Sequence, residues 1–159
     1  MMSGIRTGTG IRTGLAALAA IGTLLATPAI AGDAQDAEKL RRLDIMLMVT
    51  ALRCRTTEDN FQADFAAFEA SHLAELNDAA LQLRKSLVAT NGLVGASREL
   101  DRISTGMANQ YGQGHPRLDC AELKQATRLL AELKGRDALL SAADELLASP
   151  ARPALALSR

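Results

Sequence analysis

The 159-residue chain carries 18 basic and 18 acidic residues, with no tryptophan, one tyrosine and three phenylalanines. This balance leaves no electrostatic reason to expect nucleic acid or an anionic membrane as partner, and the few aromatic residues offer no platform for stacking bases or sugars. The abundance of alanine and leucine favours helices packed through aliphatic side chains.

The N-terminal segment has the pattern of a secretory signal peptide. Arg6 and Arg12 precede an apolar, small-residue run from Leu15 to Ile30, which ends in an A-x-A site with cleavage after Ala31. The alternative is an uncleaved membrane anchor, because the run is near the lower length limit for spanning a bilayer. The segment has neither a lipoprotein cysteine nor a twin-arginine pair. Residues 1–31 are therefore predicted to be a signal peptide that is cleaved on export.

The mature chain would then comprise residues 32–159, with 16 basic and 18 acidic residues once the two leader arginines are removed, a net charge of −2. Its length suits one domain, predicted at 32–148, with a loose tail at 149–159 after the prolines 150 and 153. The predicted location is the bacterial periplasm or the exterior, with no membrane span left after cleavage and no nucleic-acid partner.

The first helix is predicted to begin near Ala37, after a short acidic leader, and to end near Arg55. The stretch L-D-I-M-L-M-V-T-A-L-R-C-R at 43–55 contains an unbroken apolar run, Ile45 to Val49, and closes on Cys54. A helix without a polar face is typical of the most enclosed position in a bundle.

A second helix is predicted over roughly 58–89, capped by Thr56 and Asp59, with a stop at Asn91-Gly92 because glycine takes the left-handed conformation readily. Its apolar stripe carries every phenylalanine of the chain: Phe61, Phe65, Phe68, His72, Leu76, Ala79, Leu83 and Leu87.

The third helix is predicted from a Ser97 cap to Tyr111, followed by the loop G-Q-G-H-P at 112–116. The spacing of Asp119 and Glu122 predicts a capping box at the start of a fourth helix.

Gly135 either kinks the fourth helix or separates a last one over 138–148. No segment alternates at the period of a strand. The predicted fold is therefore all-α, an up-down four-helix bundle with room for a fifth short C-terminal helix.

The two cysteines are predicted to form a disulfide. Short connections between antiparallel helices bring the end of the first helix and the start of the fourth to the same end, so Cys54 and Cys120 can meet. An exported chain with an even number of cysteines belongs in an oxidising compartment. The alternative is a redox-active thiol, because Arg53 and Arg55 flank Cys54 and cations lower the pKa of a thiol, but no C-x-x-C motif is present.

The two histidines are the acid–base candidates at neutral pH. His72 lies on the apolar stripe and is predicted as a core residue with one hydrogen bond, with a pH-responsive or ligand role as the alternative. His115 lies in the glycine-rich loop, which lacks the strand and third glycine of a dinucleotide site. No zinc-ligand spacing and no nucleophile motif occur, so no catalytic residue, metal or cofactor is predicted.

Four residues are predicted at the end that carries the bridge: Arg53, Arg55, His115 and Arg117. They could form a cationic patch for an anionic ligand or an acidic partner surface. The alternative is that these arginines are solvated side chains at helix ends, with no partner in common.

Three segments, A-L-R-C-R-T-T-E-D-N-F-Q-A-D-F, M-A-N-Q-Y-G-Q-G-H-P and L-D-C-A-E-L, resemble small exported bacterial proteins of unassigned function. The resemblance extends over most of the mature chain and implies no activity. In architecture the chain is also similar to the small disulfide-bonded helical acid-stress chaperones of the periplasm, whose defining sequence pattern it lacks.

The predicted role is that of an exported, non-catalytic envelope protein that acts by binding a protein or a small ligand. The alternatives are a periplasmic chaperone-like stress protein, which would expose apolar surface at low pH, and a small enzyme that uses His115 and His72.

Overall fold

A computed structural model describes residues 28–148, with side chains from residue 32 onward, and shows an all-helical protein. No strand occurs within that range. The predicted tail and the predicted signal peptide up to residue 27 lie outside the described residues, as do the side chains of the predicted cleavage site. The described residues form five helices: α1 Pro28–Cys54, α2 Gln62–Ser71, α3 Leu73–Tyr111, α4 Cys120–Glu132 and α5 Arg136–Leu147.

The chain is already helical at Pro28, where the described residues begin, well before the predicted start near Ala37, so the small acidic segment is helical. The predicted inner face is confirmed, and all of its residues are buried: Leu40, Leu43, Leu47, Ala51 and Cys54.

The apolar run of α1 is not enclosed on every side. Ile45 and Met46 are buried, but Met48 is 40% exposed and Leu52 is exposed as well. Thr50 is buried within the helix, where its hydroxyl donates to the Met46 carbonyl at 2.7 Å. Helix α1 is therefore covered on most of its circumference and presents a narrow apolar strip to solvent.

The predicted second helix is divided at His72 into α2 and α3. His72 has φ −116° and ψ 20°, yet its N–H still donates to the Phe68 carbonyl and its own carbonyl accepts from the Leu76 N–H. The break therefore preserves the direction of the apolar stripe, and for this reason the periodicity of the sequence does not reveal it.

The start of α2 also differs from the prediction. The helix begins at Gln62, not near Glu58, and Thr56 does not cap it. The preceding turn is held instead by the Thr57 hydroxyl, which donates to the Cys54 carbonyl at 2.8 Å, and by the Asn60 side chain, which accepts from the Gln62 N–H at 3.0 Å.

Helix α3 bends sharply at Gly92, where φ is +67° and ψ 174°, a conformation that only glycine adopts without strain. The predicted stop is thus at the right residue, but the next helical segment follows at once and does not wait for a cap at Ser97. Just before the bend, Asn91 donates through its side-chain amide to the Leu87 carbonyl at 3.2 Å.

The predicted capping box of α4 is confirmed. The Asp119 carboxylate accepts from the Glu122 N–H, and the Glu122 carboxylate accepts from the Asp119 N–H, both at 2.9 Å. Gly135, at φ +84°, separates α4 from α5, so a distinct last helix exists and begins at Arg136, two residues before the predicted position.

Most contacts between helices join α1 to α3 and α2 to α4. Helix α1 lies along α3 and also contacts α5, whereas α4 lies mainly on α2 and touches α1 less. Ion pairs connect these partners, with Arg128 to Asp64 at 2.8 Å between α4 and α2, and Lys39 to Asp144 at 2.6 Å between α1 and α5. Within the described residues, no helix has both the length and the apolar character needed to cross a membrane.

Asp44 is a half-buried carboxylate on α1. Burial raises its pKa above the ordinary value, Glu69 of α2 raises it further, and Arg41 opposes the shift through an ion pair at 3.0 Å. The fold therefore takes up this proton at a higher pH than the unfolded chain does. The contribution of Asp44 to the free energy of unfolding therefore increases as the pH falls through the window just above 3.8. This contribution is lost as the pH rises.

Replacing Asp44 by asparagine is expected to raise the free energy of unfolding by about 0.5–1 kcal/mol at pH 7, because the amide can still accept a hydrogen bond from Arg41 without burying a charge. Denaturant unfolding at several pH values measures the difference, which should shrink toward pH 4. The exposed Asp101→Asn is the matched control, with no expected change. A less stable Asp44→Asn protein at pH 7 would contradict the burial argument.

Candidate functional site

The bridged end of the molecule consists of the disulfide between Cys54 and Cys120 and the loop 112–119. The two sulfurs are bonded and the two Cα atoms lie 5.8 Å apart, so the predicted pairing is confirmed. Cys54 is the last residue of α1 and Cys120 the first residue of α4. The capping box fixes where α4 begins, and this places the second sulfur beside the end of α1.

His115 is held by hydrogen bonds on both ring nitrogens. Nε2 lies 2.9 Å from the Leu146 carbonyl and must donate to it, while Nδ1 accepts from the backbone N–H of Leu118 at 3.0 Å and of Arg117 at 3.2 Å. The imidazole is therefore neutral, with its proton on Nε2. Its ring lies nearly parallel to that of Tyr111, with centroids 6.3 Å apart. Burial raises the pKa of the Tyr111 phenol, which keeps it neutral.

Arg117 caps the end of α5. Its guanidinium donates to the Glu145 carbonyl at 2.6 Å and to the Leu146 carbonyl at 3.3 Å. A cation at this position also interacts favourably with the helix dipole. Two of the four residues predicted to form a cationic patch, His115 and Arg117, are thus engaged with the backbone of α5.

Arg53 lines a cleft of about 270 Å³ beside the disulfide. Its side chain packs on Gly114, where an added Cβ would lie 3.2 Å from the Arg53 Nε atom and where φ is +107°. Neither Arg53 nor Arg55 forms an ion pair with any acidic residue of the range 28–148. The cleft is lined by Thr50, Arg53, Cys54, Gln113, Gly114, His115, Leu118, Asp119, Cys120 and Leu123.

His72 lies away from the bridged end. It is 1% exposed, its Nε2 is 2.7 Å from the Leu130 carbonyl, and its ring is tilted against that of Phe68 at a centroid distance of 5.2 Å. Leu130 is ten residues, or about 15 Å, along α4 from the disulfide. The two histidines therefore belong to different places, and the side chain of His72 lines none of the clefts described for this fold.

A larger, open groove of about 430 Å³ lies between α1 and α5. Its charged side chains already satisfy one another, since Lys39 pairs with Asp144 at 2.6 Å and Arg42 pairs with Glu38 at 2.9 Å. The sequence does not reveal this groove, because the only one of its ion pairs that lies within a single helix is Glu38 with Arg42. The part of the groove formed by α5 is brought there by the turn at Gly135.

The described residues contain no cluster of three or more side chains suited to hold a metal ion. Comparison with known proteins found no matching family model, no matching curated protein and no matching solved structure. The cleft at the bridged end is lined by one cationic and one anionic side chain, Arg53 and Asp119, and is closed on one side by the disulfide.

Proposed function

We propose that this chain is an exported, non-catalytic helical protein of the bacterial envelope that binds an anionic group in the cleft at the bridged end. The observation that carries the proposal is the position of Arg53, whose guanidinium lines the cleft without an ion pair in the range 28–148. Charge-assisted hydrogen bonds from arginine to carboxylate or phosphate are among the stronger polar interactions of proteins.

The signal-peptide pattern of residues 1–31 and the disulfide support the envelope as location, because disulfides persist in oxidising compartments. The state of the histidines supports binding over catalysis. Both nitrogens of His115 are used by the backbone, and His72 is enclosed, so neither ring presents a nitrogen to a substrate in the cleft.

We further infer an up-down order of four helical rods, extended by α5. The rods are α1, then α2 with the part of α3 before Gly92, then α3 after Gly92, and α4. Contacts between the second and fourth rods support this order. Lys124 lies beside Glu58, Arg128 beside Asp64 and Leu130 beside His72, so residue numbers rise together along the two rods. Parallel second and fourth helices are what an up-down bundle requires.

The proposed site can be tested by NMR titration of the oxidised protein, residues 32–159, with inorganic phosphate and with citrate at low ionic strength. We expect the amide shifts to concentrate at 50–54 and 113–123, and Arg53→Gln to weaken binding by about tenfold through the loss of a charge-assisted hydrogen bond.

Arg98→Gln is the matched control, because Arg98 is an exposed arginine on α3 that lines none of the described clefts. It should leave the dissociation constant unchanged. Shifts scattered over all exposed arginines, or equal dissociation constants for Arg53→Gln and the unmodified protein, would refute the assignment of the cleft.

A further inference from the structure

The bend of α3 forms an exposed apolar tip, which we name the Gly92 corner: residues 90–95, T-N-G-L-V-G. Leu93 and Val94 are 73% and 74% exposed, more than any other large apolar side chain of the described residues. Single exposed apolar residues are common on protein surfaces, but two in succession at the tip of a bend form a small apolar surface. Ala96 is buried again, so this surface is confined to the corner.

The polar side chains of the corner bond back to the preceding helical turn. The Thr90 hydroxyl donates to the Leu87 carbonyl at 3.2 Å, and the Asn91 amide donates to the Thr90 hydroxyl at 2.8 Å. Two glycines make the corner tight, because Gly92 has φ +67° and a Cβ added at Gly95 would lie 3.0 Å from the Asn91 Cβ. The corner therefore holds its two apolar side chains outward on a defined backbone.

Positive charge flanks the corner on both sides. The segment 79–98 contains no acidic residue and three exposed cations, Arg84, Lys85 and Arg98. None of the three forms an ion pair with an acidic residue of the range 28–148, although Asp33 of α1 shares a groove with Lys85. The even charge of the whole chain therefore conceals a local excess of cations beside the apolar corner.

The cations lie behind the apolar tip. Arg84 and Lys85 precede Gly92 by two helical turns and Arg98 follows it by less than two, which places the three at about 9–12 Å from the corner along the helices. This distance is comparable to the depth of a lipid headgroup layer and to the screening length of charge at physiological salt. The apolar tip and the cations can therefore act on the same bilayer surface.

The corner lies at the end of the molecule opposite to the disulfide. Ala34 of α1 lines a groove with Ser86 and Ala89, so the first turns of α1 lie beside the residues just before the corner. Cys54 is a further twenty residues, or about 30 Å, along α1. The corner is thus at the end where the predicted signal segment 1–31 joins the fold, and the cleft beside the disulfide is at the other end.

We propose that the Gly92 corner docks on the surface of an anionic phospholipid bilayer. Leu93 and Val94 enter the interfacial region, and the three flanking cations face the headgroup phosphates. Reversible docking takes both features, because two side chains bury little apolar area and salt screens exposed charges. Docked in this way, the protein presents the cleft at its bridged end to the aqueous phase. The corner acts independently of anion binding in that cleft.

The test is co-sedimentation of the oxidised protein, residues 32–159, with vesicles of phosphatidylglycerol and phosphatidylcholine or of phosphatidylcholine alone. We expect binding to the anionic vesicles that weakens with added salt. The double variant Leu93→Ser, Val94→Ser should weaken it by at least about tenfold, through the loss of buried apolar area. The triple variant Arg84→Gln, Lys85→Gln, Arg98→Gln should abolish the preference for anionic vesicles.

Leu73→Ser is the matched control, because Leu73 is a 60% exposed leucine of the same helix, about 29 Å before the corner. It should leave vesicle binding unchanged. The chain contains no tryptophan, so Leu93→Trp and Leu73→Trp each supply a single fluorescent reporter. With anionic vesicles, emission at position 93 should shift to shorter wavelengths as the indole leaves water, and emission at position 73 should not change.

The absence of binding to anionic vesicles, binding that the corner substitutions leave unchanged, or equal spectral shifts at positions 93 and 73 would overturn the proposal. A dimer in analytical ultracentrifugation that is lost in Leu93→Ser, Val94→Ser, without vesicle binding, would assign the corner to a second copy of this chain instead. Arg53→Gln should bind vesicles normally, and a loss of binding there would mean that the cleft holds the headgroup phosphate. Vesicle binding without phosphate binding in the cleft would refute only the anion site.

Discussion

Replacing Cys54 and Cys120 by serine is expected to lower the free energy of unfolding by about 4 kcal/mol. The bridge closes a loop of 66 residues, and without it the unfolded chain recovers the conformational entropy that the cross-link removes. Chemical denaturation of the two proteins at pH 7 measures this difference. For a domain of this size, that loss is a large share of the total stability.

Two comparisons distinguish the stability contributed by the cross-link from the effect of replacing the side chains. Reducing the unmodified protein with dithiothreitol should produce nearly the same loss as the double substitution, and Cys120→Ser alone should match both. Ser97→Ala, on the exposed surface of α3, serves as a control with no expected change. A loss below about 1 kcal/mol on reduction would mean that the unfolded chain is hardly restrained by the bridge, which contradicts the loop-entropy account.

Replacing Phe68 by alanine is expected to lower the free energy of unfolding by about 3–5 kcal/mol. Phe68 is fully buried near the end of α2, with its ring 6.3 Å from that of Phe65 and 5.2 Å from that of His72. Alanine would leave a cavity where α2 meets α4, at the place where the imidazole donates to the α4 backbone. The same denaturation experiment measures the loss.

Phe65 is the matched comparison, because it lies on the same helix and is only partly buried. Phe65→Ala is expected to cost about 1–2 kcal/mol, since less apolar area leaves contact with the core. If Phe68→Ala proves too unstable to fold, Phe68→Leu, expected to cost about 1–1.5 kcal/mol, preserves the test. Equal losses for the two alanine variants would contradict the burial difference between the two rings.

The features that could be predicted from the sequence depend on neighbours along the chain. Asp119 and Glu122 are three residues apart, so they cap α4 wherever that helix lies. Gly92 and Gly135 interrupt helices because only glycine takes those backbone angles at low cost. The cysteine pairing was accessible for a related reason, since short connections alone bring alternate helix ends together.

The features that were missed depend on contacts between distant segments. The break at His72 accompanies a hydrogen bond to Leu130, 58 residues away, and leaves the apolar periodicity unchanged. The engagement of Arg117 and His115 with α5 depends on the turn at Gly135, which returns that helix to the loop 112–119. From sequence spacing, both residues were expected to face a ligand together with Arg53 and Arg55.

By itself, the sequence determined the helical class, the inner face of α1, the capping box and the covalent link between the ends of α1 and α4. These follow from local conformational preferences and from the apolar period of a helix. Only the tertiary structure decided that α4 lies on α2, that the cleft presents Arg53 while Arg117 and His115 bond the backbone of α5, and that His72 bonds the backbone of α4. The partner of a side chain across the fold depends on the direction that each turn gives to the next helix. That direction results from many small packing interactions.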